Sequence, residues 1–200
     1  MSIIDRDIYD SVHLEFAEVV RRFLRNEVAP HVAEWERRGM VDRDVYRAAG
    51  RLGLLGPQIP EEYGGGGQSS FKFNCVVTEQ IAYERVTMGS MRVHTDVVIP
   101  YFLSIANAEQ RRRWLPGMAS GDLMSAIAMT EPGTGSDLAG IQTSLTRTGS
   151  GYLLNGAKTF ITGGAQADLI VVVARSYRSD DRRDGLTLAG VEGDAPGLRR

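Results

Sequence analysis

Only one cysteine occurs among the 200 residues, Cys75, so no disulfide can close within the chain and a reducing compartment suits it. Its neighbours Val76 and Val77 predict a buried thiol rather than a nucleophile. Histidine is nearly as scarce: His13, His31 and His94 lie far apart, with no metal-ligand spacing. Long apolar runs are missing too. The longest, Leu169 to Ala174, falls far short of the roughly 20 residues needed to cross a bilayer. The opening Met-Ser-Ile-Ile-Asp-Arg-Asp is charged early and has no apolar signal core. The formal net charge is only −2, which offers nothing to attract nucleic acid or an anionic membrane. These absences predict a soluble, cytoplasmic protein with no metal, no nucleic-acid partner and no membrane insertion.

What is present suffices for a sizeable core, since 42% of the residues are apolar. Val12, Phe16, Val19, Val20, Phe23, Leu24 and Val28 recur at three- and four-residue steps, predicting an amphipathic helix that breaks near Gly39. Asp42 or Asp44 is placed to cap a second helix over about Val45–Leu54. Gly64 to Gly67 with Gln68-Ser69-Ser70 reads as a flexible loop, a linker rather than a phosphate cradle. A third helix is expected from Phe71 to Arg85, with Phe73, Val76, Val77 and Ile81 inward and Glu79 and Glu84 on a solvated face. Another is expected from Arg92 to Ala106, its continuity questioned by Pro100. Asn107 with Gln110 forms a capping-box pattern that opens a helix toward Met118. The triplet Arg111-Arg112-Arg113 reads as a solvated helix end, and His94 and Asp96, two apart on a helix, should point away from each other.

At Gly121-Asp122 the pattern changes to short apolar runs separated by turn residues: Leu123–Met129, Ile141–Arg147, Tyr152–Leu154, Thr159–Thr162, Leu169–Ala174 and Leu186–Val191. Gly149-Ser150-Gly151 and Asn155-Gly156 are hairpin-type turns, and Ser176 to Gly185 is a charged, solvated loop. The fold class is therefore α+β: an all-α domain over residues 1–121, then an antiparallel β domain over residues 122–200.

Two segments of the second half carry the chemistry. Met129-Thr130-Glu131-Pro132-Gly133-Thr134-Gly135-Ser136-Asp137 packs hydroxyls, a Pro turn and two glycines into nine residues, suiting a loop whose N–H groups approach an anion. Leu154-Asn155-Gly156-Ala157-Lys158-Thr159-Phe160-Ile161-Thr162-Gly163-Gly164 reads as a hairpin on Asn155-Gly156, with Lys158, Phe160 and Thr162 alternating onto one face. Together they supply a phosphate cradle, an aromatic wall and hydroxyls for a large flat cofactor. Taken singly, the first is an ordinary Pro-Gly turn, Phe160 a core aromatic and Thr162 a β-former. The loop is not a dinucleotide fingerprint, because Leu138 stands where a third glycine is needed. Glu131 and Asp137 read as turn stabilisers, not as a catalytic base.

These two segments and their spacing resemble the flavin-binding signatures of the acyl-CoA dehydrogenases. The resemblance extends over nearly the whole chain, through Pro60-Glu61-Glu62-Tyr63-Gly64-Gly65, Val93-His94-Thr95-Asp96-Val97-Val98-Ile99-Pro100-Tyr101 and Trp114-Leu115-Pro116-Gly117-Met118-Ala119-Ser120-Gly121. Ala126-Ile127-Ala128-Met129, together with Phe160 where many members have Trp, leans toward the long-chain-like branch.

The resemblance implies FAD as cofactor and α,β-dehydrogenation of an acyl-CoA thioester to a trans-2-enoyl-CoA, of the fatty-acid β-oxidation type. It implies that Ile127, Ala128 and Met129 lie along the flavin, that Thr130 meets its pyrimidine end, and that Gly135 and Ser136 face the diphosphate. Ser136 is also implied near the CoA of the substrate, and Phe160, Ile161 and Thr162 form a second strand with the Thr162 hydroxyl near N5. The helix holding His94 is implied near the acyl pocket as a region. A homotetramer and an electron-transfer flavoprotein as acceptor are further implications. In the family the β domain, barrel-like, continues past Arg200, another helical domain follows, and the catalytic glutamate comes from there. The chain therefore reads as truncated and inactive alone, with no catalytic residue assignable in it. Alternatives are a flavin-dependent monooxygenase on the same scaffold, or a non-catalytic assembly subunit if 200 residues is the natural length.

Overall fold

A computed structural model describes residues 8–177, 180, 181 and 184–200. The opening Met-Ser-Ile-Ile-Asp-Arg-Asp and positions 178, 179, 182 and 183 of the charged Ser176–Gly185 loop lie outside the described residues. The chain divides into two compact units, one ending at Leu123 and one beginning at Met124.

The first unit is helical. Helix α1 (Ser11–Phe23) starts at Asp10, whose N–H donates to His13 Nδ1 at 3.3 Å. Its inward stripe is His13, Ala17, Val20 and Phe23, rotated from the expected one. His13 packs its ring 4.6 Å from that of Phe73, and Val12 is left 52% exposed. A π-turn over Leu24–Val28 and a 3-10 turn over Ala29–His31 follow. Pro30 lies in that stretch and lacks the N–H that would continue an α ladder. Helix α2 (Val32–Arg38) then stops at Gly39, in the left-handed region at φ +69°.

Asp42 is the N-cap residue of α3 (Arg43–Arg51), but its carboxylate accepts from Trp35 Nε1 and Arg38, tying α2 to α3. The glycine run is not a flexible loop. Gly66, Gly67 and Gln68 donate their N–H groups to the carbonyls of Gly56, Ile59 and Pro57 at 2.8–2.9 Å. At Gly65 a Cβ would lie 2.1 Å from the Ile59 carbonyl oxygen, so only glycine fits. With those amides consumed, neither linker nor phosphate cradle describes it.

Helix α4 (Lys72–Glu84) lies against α1, with Phe16 and Phe73 edge to face and Arg21 Nε donating to Gln80 Oε1 at 3.1 Å. Glu84 is paired with Arg25 rather than solvated alone, and Cys75 is half-buried and unpaired. A π-turn over His94–Val98 joins α5 (Met91–Val93) to α6 (Ile99–Ile105), and Pro100 falls in the first turn of α6, where its missing N–H is tolerated. His94 Nε2 donates to the Met118 carbonyl at 3.0 Å, while Asp96 pairs with Arg92, so the two side chains do diverge. Helix α7 (Ala108–Ser120) opens on the expected Asn107–Gln110 capping box and ends at Gly121. Arg111 donates to the carbonyls of Ala106 and Leu103. Among the described residues no helix is long and apolar enough to cross a membrane.

The second unit is a five-stranded sheet: β1 (Ser125–Ala128), β2 (Ser144–Thr148), β3 (Gly151–Asn155), β4 (Leu169–Arg175) and β5 (Leu186–Glu192). The α+β class holds, and the sheet is open and mixed rather than wholly antiparallel. Strand β4 is buried at every position, as a strand covered on both faces is, and both its edges are paired. It pairs antiparallel with β5 along its length, parallel with β1 over Leu169–Val172, and through Arg175 with Ser144 of β2. Strands β2 and β3 form a hairpin across Gly149-Ser150. Ala126, Ala128, Ala167, Ile170 and Val172 make a core cluster, with Leu154, Ile161, Val191 and Leu198 packed against it.

Candidate functional site

The expected second hairpin does not form. Asn155 ends β3 opposite Ser144, and residues 156–161 run outside the ladder before a turn over 162–166. The amides of Gln142 and Thr143, just before β2, donate to Glu131 Oε2 and Oε1 at 2.8 and 2.9 Å. Lys158, Phe160 and Thr162 therefore do not alternate onto one face. Lys158 is drawn inward, its ammonium 3.0 Å from Glu131 Oε1 and 2.9 Å from the Met129 carbonyl oxygen. Phe160 goes the other way: its ring is 91% exposed and its backbone sits at φ +56°.

That combination is costly. A bulky residue in the left-handed region is an outlier, and a large exposed aromatic gains little burial to offset it. The chain on either side imposes the conformation. Upstream, Lys158 is buried and the Thr159 N–H donates to the Thr130 carbonyl at 3.0 Å. Downstream, Ile161 packs on the core and its carbonyl accepts from the Gly164 N–H at 2.9 Å. The same bonds lay the two sequence motifs side by side.

The Thr130–Asp137 loop is held at both ends. Glu131 and Thr134 exchange backbone bonds of 2.8 and 3.1 Å around Pro132-Gly133. At the far end Arg175, from β4, donates to the carbonyls of Ile141, Ala139 and Asp184, fixing the short turn Leu138–Gly140. Gly133 and Gly135 do not have positive φ, and a Cβ on either would meet nothing within 4 Å. They are open spots on the surface rather than conformational necessities. The hydroxyls of Thr130, Ser136 and Thr162 make no hydrogen bond among the described residues, and Ser136 and Thr162 are exposed. The loop and the facing Phe160–Thr162 segment together offer an exposed aromatic ring, hydroxyl donors and open glycine backbone, a set suited to a flat ligand bearing phosphates.

Burial pushes the Glu131 carboxyl up, but the contacts with Thr143, Gln142 and Lys158 outweigh it and hold it down to about 2. It is a structural anion, and a group so weakly basic is poorly suited to remove a carbon-bound proton. Among the described residues no cluster of three or more His, Cys, Asp or Glu is arranged to hold a metal ion.

Residues 10–122 match the family described as acyl-CoA dehydrogenase, N-terminal domain, and residues 126–200 match acyl-CoA dehydrogenase, middle domain. The chain belongs to the acyl-CoA dehydrogenase family. It is 42% identical over 194 residues to the long-chain specific acyl-CoA dehydrogenase, mitochondrial, of Mus musculus, covering 96% of this chain and 45% of that one. The crystal structure of acyl-CoA dehydrogenase from Geobacillus kaustophilus superimposes with a TM-score of 0.92 at 39% identity, over 96% of this chain and 51% of that chain. The Bacillus anthracis acyl-CoA dehydrogenase complexed with FAD does so at 0.82 and 31%, over 98% of this chain and 33% of its own. The chain spans about half the length of the curated relatives it matches.

Within this member of the family the expected site residues divide by placement. Met129 and Thr130 are half-buried where β1 exits toward the loop, Gly135 and Ser136 are exposed on the loop, and Phe160 and Thr162 are exposed on the facing segment. Ile127 is half-buried on β1, whereas Ala128 packs in the core and Ile161 against it, which leaves their side chains turned inward. Sequence reading missed Lys158 as a buried anchor and Arg175 as the loop's latch. The only signal for either was a cation beside an apolar run, which burial alone makes informative.

Proposed function

We propose that the exposed face formed by the Thr130–Asp137 loop and Phe160–Thr162 binds FAD, and that a protein of the relatives' length dehydrogenates acyl-CoA thioesters to trans-2-enoyl-CoA. The observation that carries the reading is Phe160: a strained backbone presenting a fully solvated ring beside open amides and hydroxyls has a cost that binding would justify. The donor set fits the group, since Gly135 offers open backbone and Ser136 an exposed hydroxyl for a diphosphate. FAD, when bound, supplies the acceptor for the substrate's β-hydride.

The chain's own residues bind and orient. Phe160 offers an aromatic surface to the ring system, while Ile127, Met129 and the backbone of Ala128 and Ile161 line its approach. Thr130 and Thr162 supply hydroxyl donors, and a donor facing a site of growing negative charge favours its reduction. Ser136 also lies where the CoA of the substrate would pass. The α-proton is removed by a carboxylate outside these residues, because Glu131 is committed to Lys158 and two amides. A long-chain acyl substrate, an electron-transfer flavoprotein as acceptor and a homotetrameric assembly are part of the same proposal. So is a cytoplasmic location, to which the single unpaired Cys75 is suited.

The test is titration of the protein with FAD, followed by anaerobic addition of saturated acyl-CoAs of increasing length to a protein of the relatives' length. Flavin uptake and bleaching of its visible absorbance, strongest with long chains, are expected. Failure to take up flavin, or a bound flavin that no acyl-CoA bleaches, would refute the proposal.

A further inference from the structure

We infer that the buried Glu131–Lys158 pair is a positioning device that sets where Phe160 and Thr162 stand relative to Thr130, an inference that rests on the flavin reading above. The two side chains are 7% and 10% exposed and meet at 3.0 Å. Lys158 also donates to the Met129 carbonyl, and Glu131 accepts from the amides of Gln142 and Thr143. One carboxylate and one ammonium thereby join the exit of β1, the approach to β2 and the segment after β3.

A purely stabilising role fits the arrangement poorly. A buried ion pair adds little net stability against an apolar pair of the same shape, and its best-attested use is to fix register. Register is what this segment lacks, since it leaves the sheet at Asn155 with no ladder to align it. Phe160 comes two residues after Lys158, and its solvated ring has few contacts with which to hold its own backbone in the left-handed region. The constraint comes from the anchored residues on each side. Loss of the Lys158 anchor leaves the single Thr159–Thr130 backbone bond to hold the upstream side, so the ring and the Thr162 hydroxyl lose their fixed position even if the sheet survives.

Lys158→Met removes both donor bonds at similar length, and Lys158→Arg keeps a cation for both acceptors. Each is compared with the wild type below its own melting temperature. FAD affinity, the positions of the flavin absorption bands and the flavin midpoint potential are read, together with hydrogen exchange at the amides of residues 160–164 without flavin. Losing hydrogen bonds to a charged donor predicts that Lys158→Met binds FAD about tenfold or more weakly, with shifted bands and potential, while Lys158→Arg stays within about threefold of wild type. Exchange at residues 160–164 should accelerate in Lys158→Met while β4 and β5 stay protected. A lowered melting temperature with FAD affinity, bands and potential unchanged overturns the inference. Exchange loosened in Lys158→Met relative to the wild type, with neither protein binding FAD, refutes the flavin reading and leaves the positioning role. Where Lys158→Met does not fold, Glu131→Gln, which removes the anion but keeps an acceptor oxygen, is read against the same outcomes.

Discussion

Replacing Phe160 by asparagine should leave the flavin-free protein as stable as the wild type or slightly more so, while weakening FAD binding. The backbone there sits at φ +56°, a region that costs an ordinary L-residue roughly 1–2 kcal/mol and that asparagine enters more readily. The ring is 91% exposed, so substitution removes little burial. Of the roughly 200 Å² of a phenylalanine side chain, ~20 Å² is covered, worth ~0.5 kcal/mol at ~25 cal/mol/Å². The balance is a gain of about 0.5–1 kcal/mol in the flavin-free state. Tryptophan fluorescence is the wrong probe, because Trp35 and Trp114 both lie in the helical unit. Hydrogen exchange at the β4 and β5 amides reports on the right one. Loss of the aromatic contact should cost about 0.5–1.5 kcal/mol of binding, a two- to tenfold rise in the FAD dissociation constant. A stability loss above about 1 kcal/mol would refute the reasoning, for it would mean that the ring is packed and the backbone unstrained.

Acid should unfold the sheet unit partly through Glu131. Its carboxyl is held at about 2 against an ordinary 4.5, so the stabilisation is complete above pH ~4.5 and is lost as pH falls toward ~2, on the order of 3 kcal/mol in all. Glu131→Gln should flatten that part of the acid stability curve, and an unchanged acid slope in the variant would dismiss the assignment. Two glycine substitutions should behave oppositely. Gly65→Ala, with a Cβ 2.1 Å from the Ile59 carbonyl oxygen, should destabilise the helical unit by about 1–3 kcal/mol in urea unfolding. Gly135→Ala, whose Cβ meets only open space, should stay within about 0.5 kcal/mol in stability yet bind FAD more weakly. Equal FAD affinity would move the phosphates away from that loop.

Features governed by neighbours along the chain are legible in the sequence. The Asn107–Gln110 box starts α7 and Gly39 ends α2, because caps involve groups only a few residues apart. The turn at Gly149-Ser150 and the apolar run of β4 follow from the same local logic. Both motifs of the candidate site are visible as compositions, and they do come together where the Thr159 N–H meets the Thr130 carbonyl.

The arrangement of those motifs is not legible there, because it depends on which donors and strand edges remain free. Alternation over Thr159–Thr162 suits a strand, but Lys158 is held by Glu131 and the Thr159 N–H goes to the Thr130 carbonyl, far off in sequence and across the loop in space. Lys158 has the pattern of an exposed residue, and only the buried Glu131 carboxylate and the Met129 carbonyl turn it inward. His13 displaces Val12 from the helix face because Phe73, sixty residues on, offers it a ring to pack against. The sequence by itself determined the order of a helical unit followed by a sheet, the caps and the chemistry available to the site. Tertiary structure alone decided that Phe160 faces solvent in a strained backbone while Lys158 is buried, because burial and hydrogen-bond competition are settled by groups distant in the chain.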